Sequence, residues 1–519
     1  MLIKTFGSAL HGIDAIIVTI EVSVSRGAFF TIVGLPDTAI KESHERVKSA
    51  LKESGYDFPR HAVVVNMAPA DVRKVGSAYD LPIAVGLLAA NETITVPELD
   101  TYLIMGELSL DGSVLPIRGA LPMAIAARAA GFKGMIVPRA NVDEAAVVNK
   151  LNVYGVDTLK QVIDHLTGTA PLQPMNIDTR AEFSAAVGID ECDFCDVRGQ
   201  ESVKRAFEVA CAGGHNLLMV GPPGSGKSMM AKRLPSIMPP LTLSEALETT
   251  KIHSVAGKLN QGSRLMTRRP YRAPHHTISP VALVGGGSNP MPGEISLAHN
   301  GVLFLDEFPE FPRTVLEVLR QPLEDRTISV SRAKYSIDYP AGFMLVASMN
   351  PCPCGYYNHP TKQCTCGPGA VAKYKNRISG PLLDRIDIQV EILPVDFEKL
   401  SSTTPGESSE NIRQRVTRAR EIQAGRFANE PHIHNNAMMT SRLIRQHCSL
   451  TPTTKQLIQT AMERYDMSAR AYDRILRVAR TIADLDGAEE ISGTHISEAI
   501  GYRNLDRSSW GATSPLPVK

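Results

Sequence analysis

The stretch Asn216-Leu-Leu-Met-Val-Gly-Pro-Pro-Gly-Ser-Gly-Lys-Ser228 joins an apolar run of strand character to a glycine-rich loop ending in Lys-Ser. Gly221, Gly224 and Gly226 free the backbone for positive φ and for close approach to an anion. Pro222, Pro223 and Ser225 fill the loop between them. Lys227 offers a point charge to β- and γ-phosphates, and the Ser228 hydroxyl is a Mg2+ ligand. A helix from Ser228 to about Leu234 aims its N-terminal N–H groups at the same anion. The chemistry this order of residues serves is the holding of ATP with Mg2+. Chance produces such matches on ordinary strand-turn-helix units, but here the strand, the loop and the helix start all fall where the motif demands.

Downstream, Gly301-Val-Leu-Phe-Leu-Asp-Glu307 is an apolar strand ending in two carboxylates. Asp306 is placed to hold Mg2+ through water, and Glu307 to polarise the attacking water as general base. A further apolar strand, 343–350, ends at Asn350, whose amide can orient that water. Cys352, Cys354, Cys364 and Cys366 then form two C-x-C pairs in an irregular Gly/Pro-rich loop. Four thiolates suit a structural, tetrahedral Zn2+ that would order the loop. Four free thiols or a redox-labile pair are the competing readings, and His359 is a substitute ligand. Cys192-Asp-Phe-Cys195 has no second pair nearby and reads as two incidental thiols.

Elements must carry these groups, and 519 residues are too many for one core. The pattern divides into an α+β domain over 1–168, a linker over 169–195 rich in Pro and lacking periodicity, an α/β core over 196–395 with the Cys-rich loop at 351–367, a helical region over 396–505 and a tail over 506–519. In the first domain, alternation over 16–24 predicts a strand, 29–33 a second and 62–65 a third. Helices are expected over 37–55, 81–90 and 121–130, with a hairpin turned at Asp111-Gly112. In the C-terminal region, Ile412, Val416, Ala419 and Ile422 recur at helical spacing opposite Arg413, Arg415, Arg418 and Arg420, and helices fit 457–465, 468–486 and 494–502. Lys+Arg 55 against Asp+Glu 54 gives a net charge of +1, so contact with nucleic acid has to come from a local basic strip. With no signal-like or membrane-spanning apolar run, the chain reads as cytoplasmic.

Gly106-Glu-Leu-Ser-Leu-Asp-Gly-Ser-Val-Leu-Pro-Ile-Arg-Gly119 resembles the matching hairpin of Lon-type protease domains, which implies a ribosomal S5 domain 2-like fold. Lys74-Val-Gly-Ser-Ala-Tyr-Asp-Leu81 falls where those proteases carry their nucleophilic serine. Aligning on Gly76 puts Ala78 at the nucleophile, and aligning on Ala126-Ala127 and Gly131 puts Met123 at the catalytic lysine. A Ser-Lys dyad needs both groups. Only Ser77, with Lys74 or Lys133 as base, keeps a peptidase reading open. Otherwise the fold serves assembly or binds a ligand or DNA.

The core resembles AAA+ ATPases. In these, an arginine placed like Arg385, on the turn before a strand in Gly380-Pro-Leu-Leu-Asp-Arg-Ile-Asp387, reaches the neighbouring subunit's nucleotide. Arg470, in the first turn of the helix after Ser468, takes the sensor-2 position. The segments 264–287 and 323–334 resemble the helix-2 insert and pre-sensor-1 hairpin of magnesium-chelatase ATPase subunits and minichromosome-maintenance helicases. In the helicases the hairpin tip carries a lysine into the pore; here Arg332, with Lys334 beside it, falls there and could track a phosphate backbone. A hairpin that only packs between subunits is the alternative.

The runs 273–287 and 292–307, together with the Lon-like domain, are similar to the ComM/YifB family of magnesium-chelatase-like AAA+ ATPases. That resemblance implies a homo-hexamer, a helical lid over the nucleotide, and a DNA helicase that promotes branch migration during natural transformation. It would act on single-stranded or branched DNA, alongside other recombination proteins and away from membranes. The alternatives are a chelatase-like or chaperone-like remodeller of protein complexes and, further off, an ATP-dependent Lon-like peptidase.

Overall fold

The computed structural model describes residues 1–185, 192–259, 262–287, 290–332, 335–357, 359–367, 369–394, 406–430, 432–465 and 467–503. Its N-terminal domain is built on a seven-stranded mixed sheet. In spatial order the strands are Phe30–Val33, Ala62–Ala68, Asp14–Ser25, Leu2–His11, Tyr102–Ile104, Gly134–Pro138 and Asn152–Val156. Leu2–His11 and Asp14–Ser25 form an antiparallel hairpin that turns at Gly12, whose φ of 64° a glycine adopts without strain. The helix Asp80–Ala90 is buried along its whole length against this sheet, so it reads as apolar on every side. Gly86 lets it sit that close: a Cβ there would lie 2.8 Å from Val22 Cγ2.

Residues 37–55, expected as one helix, form two, Thr38–Lys41 and Ser43–Glu53, the first capped by the Asp37 carboxylate accepting from Ile40 N. The expected linker is also not all linker. Met175 bridges to Val153, Thr179 Oγ1 donates to Val147 O at 2.6 Å, and Thr179–Ala185 is a helix. Leu172, Met175 and Ile177 pack on the N-terminal core, so apolar anchors spaced too widely for a period hold the segment down.

The second sheet is parallel throughout, in the order Tyr271–Arg272, Val302–Leu305, Met344–Met349, Leu217–Val220, Ile388–Glu391. Its three central strands are buried at every residue, which is why they read as continuous apolar runs. Helices Glu201–Gly213 and Lys227–Ile237 cover one face and pack against the C-terminal helices Ser409–Arg426, Pro452–Tyr465, Ala469–Leu485 and Gly493–Gly501. The short helix Ser441–His447 lies among them and escaped the sequence pattern. Arg420, expected on a polar face, instead turns inward and donates to Cys211 O at 3.0 Å. Arg415 pairs with Glu208 and Glu407.

The two sheets are fastened together. Helix Leu243–Val255 of the core packs on helix Ala120–Ala129, Gly119 N donates to Ser254 O at 3.1 Å, and Arg264 pairs with Asp143 and Glu182. Among the described residues no helix is long and apolar enough to cross a membrane.

Candidate functional site

Parallel strands place their ligands beyond their carboxyl ends, because the loops there open into helix N-termini. At that end of the second sheet stand the glycine-rich loop after Val220, the carboxylates after Leu305 and the amide after Met349. Gly224 and Gly226 have φ of 78° and 88°, as the sequence requires of them. Gly221 is not in the left-handed region. It is glycine because a Cβ would lie 2.5 Å from Ile392 O. The helix Lys227–Ile237 opens directly out of the loop.

The side chains expected to hold ATP and Mg2+ meet there. Lys227 Nζ donates to Gly221 O at 2.7 Å, Pro222 O at 2.9 Å and Asn350 Oδ1 at 3.3 Å. Burial lowers its pKa, offset in part by the charges of Asp306 and Glu307. Ser228 Oγ donates to Asp306 Oδ2 at 2.6 Å, and Ser348 Oγ to Asp306 Oδ1. Ser225 Oγ is buried without a hydrogen-bond partner among the described residues, a hydroxyl in the loop still open to a ligand. Ser348 was missed in the sequence, although a hydroxyl in a buried apolar strand two residues before Asn350 was a readable signal. Glu307 leaves the cluster on a left-handed backbone, φ 53°, with its carboxylate exposed.

Arg385 and Arg470 stand elsewhere. Arg385 precedes the strand Ile388–Glu391, whose Ile388 is in register with Leu217, so it lies at the amino end of the sheet, opposite the cradle. It pairs with Glu324 at 2.5 Å, and Arg470 lies beside it, 3.8 Å from Asp384. Both line a cavity of about 1350 Å³ together with Arg474, Arg477 and Arg326. Asp387 anchors this corner. Burial pushes its carboxyl up, but the hydrogen bond to His215 and the charges of Arg474 and Arg477 hold it well below the usual range.

The segment expected to be the pre-sensor hairpin pairs Thr327–Arg332 with Tyr335–Pro340 in antiparallel register. Residues 323–325, expected as part of its first arm, finish the helix Arg320–Asp325 instead. Arg332 ends the first strand; its side chain and Lys334 lie outside the described residues.

The four loop cysteines converge. Sγ separations are 3.3 Å for Cys352–Cys354, 3.7 Å for Cys352–Cys364 and 3.5 Å for Cys354–Cys364, and Cys366 joins them with all four sulfurs within 4.8 Å of one another. A tetrahedral Zn2+ with Zn–S of about 2.3 Å sets its sulfurs about 3.8 Å apart, so the cage has the right size. The knuckle also buttresses the phosphate loop, since a Cβ on Gly355 would lie 2.6 Å from Pro223 Cδ. His359 is not among the converging groups; its Nδ1 accepts from Lys362 N at 3.0 Å.

The peptidase groups are otherwise employed. Lys74 is fully buried, with Nζ donating to Gly34 O at 3.1 Å, Met67 O at 2.9 Å and Pro69 O. An ammonium that serves three carbonyls is a structural tie and has no lone pair to offer a serine. Lys133 pairs with Glu98 at the surface at 3.1 Å.

A parallel sheet with this loop, carboxylate pair and amide at one end, joined to a Lon-like α+β domain, defines the magnesium-chelatase type of AAA+ protein. Three family descriptions match in agreement: subunit ChlI of Mg-chelatase over residues 20–141, magnesium chelatase subunit ChlI over 193–400, and its C-terminal part over 406–503. The chain is 44% identical over 502 residues to the protein YifB of Escherichia coli (strain K12), covering 96% of each chain. It is 42% identical over 506 residues to the competence protein ComM of Haemophilus influenzae, covering 97% of each. It is 30% identical over 129 residues to an archaeal Lon protease of Thermococcus kodakarensis, covering 24% of this chain and 20% of that protein. This chain belongs to the ComM/YifB family.

Proposed function

We propose that this protein hydrolyses ATP and works as a homo-hexameric motor on single-stranded or branched DNA. The observation that carries the hydrolytic part is that the Lys227–Asn350 hydrogen bond and the Asp306 carboxylate, held by Ser228 and Ser348, stand together at the carboxyl ends of three parallel strands. In this reading Lys227 and the loop N–H groups of Gly224 and Gly226 hold the phosphates, and Ser228 and Asp306 hold Mg2+. Asn350 orients the lytic water and Glu307 takes its proton. Arg385 and Arg470 serve the nucleotide of a neighbouring copy.

The DNA part is supported by the hairpin whose first strand ends at Arg332, by the insert before Asp306, and by the relative named a competence protein. Branch migration during natural transformation, alongside recombination proteins in the cytoplasm, is the task this combination serves. The test is steady-state ATP turnover with and without single-stranded, duplex and four-way-junction DNA, in wild type and Arg332→Ala. Stimulation that disappears in the variant is the expected result. Turnover indifferent to every DNA removes the DNA reading and transfers the motor to the remodelling of a protein complex.

The cysteine cage belongs to the same proposal as a structural Zn2+ site. One zinc per chain is expected by elemental analysis, and Cys364→Ser is expected to lose it and to lower the melting temperature by at least about 5 °C. Because the knuckle rests on Pro223, ATP binding should weaken in step with zinc loss. A metal-free wild type with the same melting temperature would leave the thiols free.

A further inference from the structure

The run Ala273-Pro-His-His-Thr277 opens the insert that follows the strand Tyr271–Arg272, and nothing in the cradle uses its two histidines. The fold brings one of them to the catalytic carboxylate. His276 Nδ1 lies 3.4 Å from Glu307 Oε2, and among the described residues it is the one ion-pair partner of Glu307.

The ring is fixed in place. It packs at 4.1 Å, centroid to centroid, on His275, whose Nδ1 lies 2.9 Å from Thr277 Oγ1. The Phe311 ring, buried on the same turn that carries Glu307, meets it at a steep angle with centroids 6.4 Å apart. The insert behind it is closed at its base: Arg272 pairs with Glu294 through two bonds of 2.6 and 2.7 Å, and Gly285–Gly286 pairs with Met291–Pro292. Pro290 O in turn accepts from Tyr339 of the pre-sensor hairpin at 2.9 Å. A general base works only while its proton-accepting oxygen is aimed, and such a base is commonly aimed by a third group. Glu307, exposed and on a left-handed backbone, has little else to aim it.

We propose that His276 is a positioning residue for Glu307: its Nδ1 proton holds one carboxylate oxygen so that the other faces the attacking water, which ties the base to the insert. The inference rests on the hydrolase reading above. Glutamine is not the closest substitute; asparagine is, because its Nδ2 stands where the histidine Nδ1 stands.

The experiment measures kcat and KM for ATP in the full-length wild type, His276→Ala, His276→Asn, Glu307→Gln and the double variant His276→Ala/Glu307→Gln. Expected is a fall in kcat of about tenfold in His276→Ala with KM unchanged, recovery in His276→Asn, and no further fall when His276→Ala is added to Glu307→Gln. An unchanged kcat in His276→Ala overturns the proposal. So does an equal extra loss in the Glu307→Gln background, because the histidine then acts independently of the glutamate. A wild type that never turns over ATP overturns the hydrolase reading and this inference with it, whereas active wild type with unaffected His276→Ala overturns only the inference.

Discussion

Replacing Glu307 by Gln is expected to cut ATP turnover by about a thousandfold, the scale of a lost general base, while leaving ATP affinity within about twofold. The separation of the two effects follows from the geometry. Among the groups expected to grip the phosphates and Mg2+, Lys227 is hydrogen-bonded to Asn350, and Asp306 accepts from both Ser228 and Ser348. The Glu307 side chain is outside that network, although its backbone N donates to Asp306 Oδ1 at 3.0 Å, because its left-handed backbone turns it away. An amide at 307 keeps the size and shape of the side chain and loses its negative charge and its capacity to accept a proton. Phosphate-release kinetics and a fluorescent-nucleotide titration check the two halves. Turnover within tenfold of wild type would pass the proton to another group, and a parallel loss of affinity would place Glu307 in the grip itself.

The cradle was legible because everything it needs is local. Gly224, Gly226, Lys227 and Ser228 follow one another, and the two strands that bring Asp306 and Asn350 alongside announce themselves as apolar runs. The N-terminal strand Leu2–His11 was not legible, because its alternation is broken by polar residues that are buried. Thr5 Oγ1 donates to Pro82 O and Ser8 Oγ to Ile16 O, both at 3.1 Å, and those partners come from other elements. Met175 and Thr179 hid a docked segment for a related reason: single anchors meet a surface built by distant residues. His276 looked like part of a loop motif, and only the return of the chain at Glu307 gives it a partner. For Arg470, on a helix after the last strand, sequence order likewise says nothing about which end of the sheet it occupies, and for it and Arg385 that end decides how they can act.

Arg385→Ala is expected to lower turnover by about 10³-fold or more, and the loss should be repairable by a second chain. Within one chain the cradle is at the carboxyl end of the sheet and Arg385 at the amino end, so this guanidinium cannot serve its own cradle without crossing the sheet. An arrangement in which one end of a subunit faces the other end of the next is head-to-tail, the kind that closes into rings. Lys227→Ala lacks a working cradle but keeps the arginine, and Arg385→Ala keeps the cradle but lacks the arginine. Separately both should be inactive. Mixed in equal amounts, they create junctions where an intact cradle faces an intact arginine, and random assembly makes these roughly a quarter of all junctions, so turnover should return to about that fraction of wild type. An arginine acting inside its own chain gives no recovery at any mixing ratio. Arg470→Ala mixed with Lys227→Ala makes the same distinction for the second arginine, which lies beside Asp384 on the same edge and should follow Arg385 in acting from the neighbour.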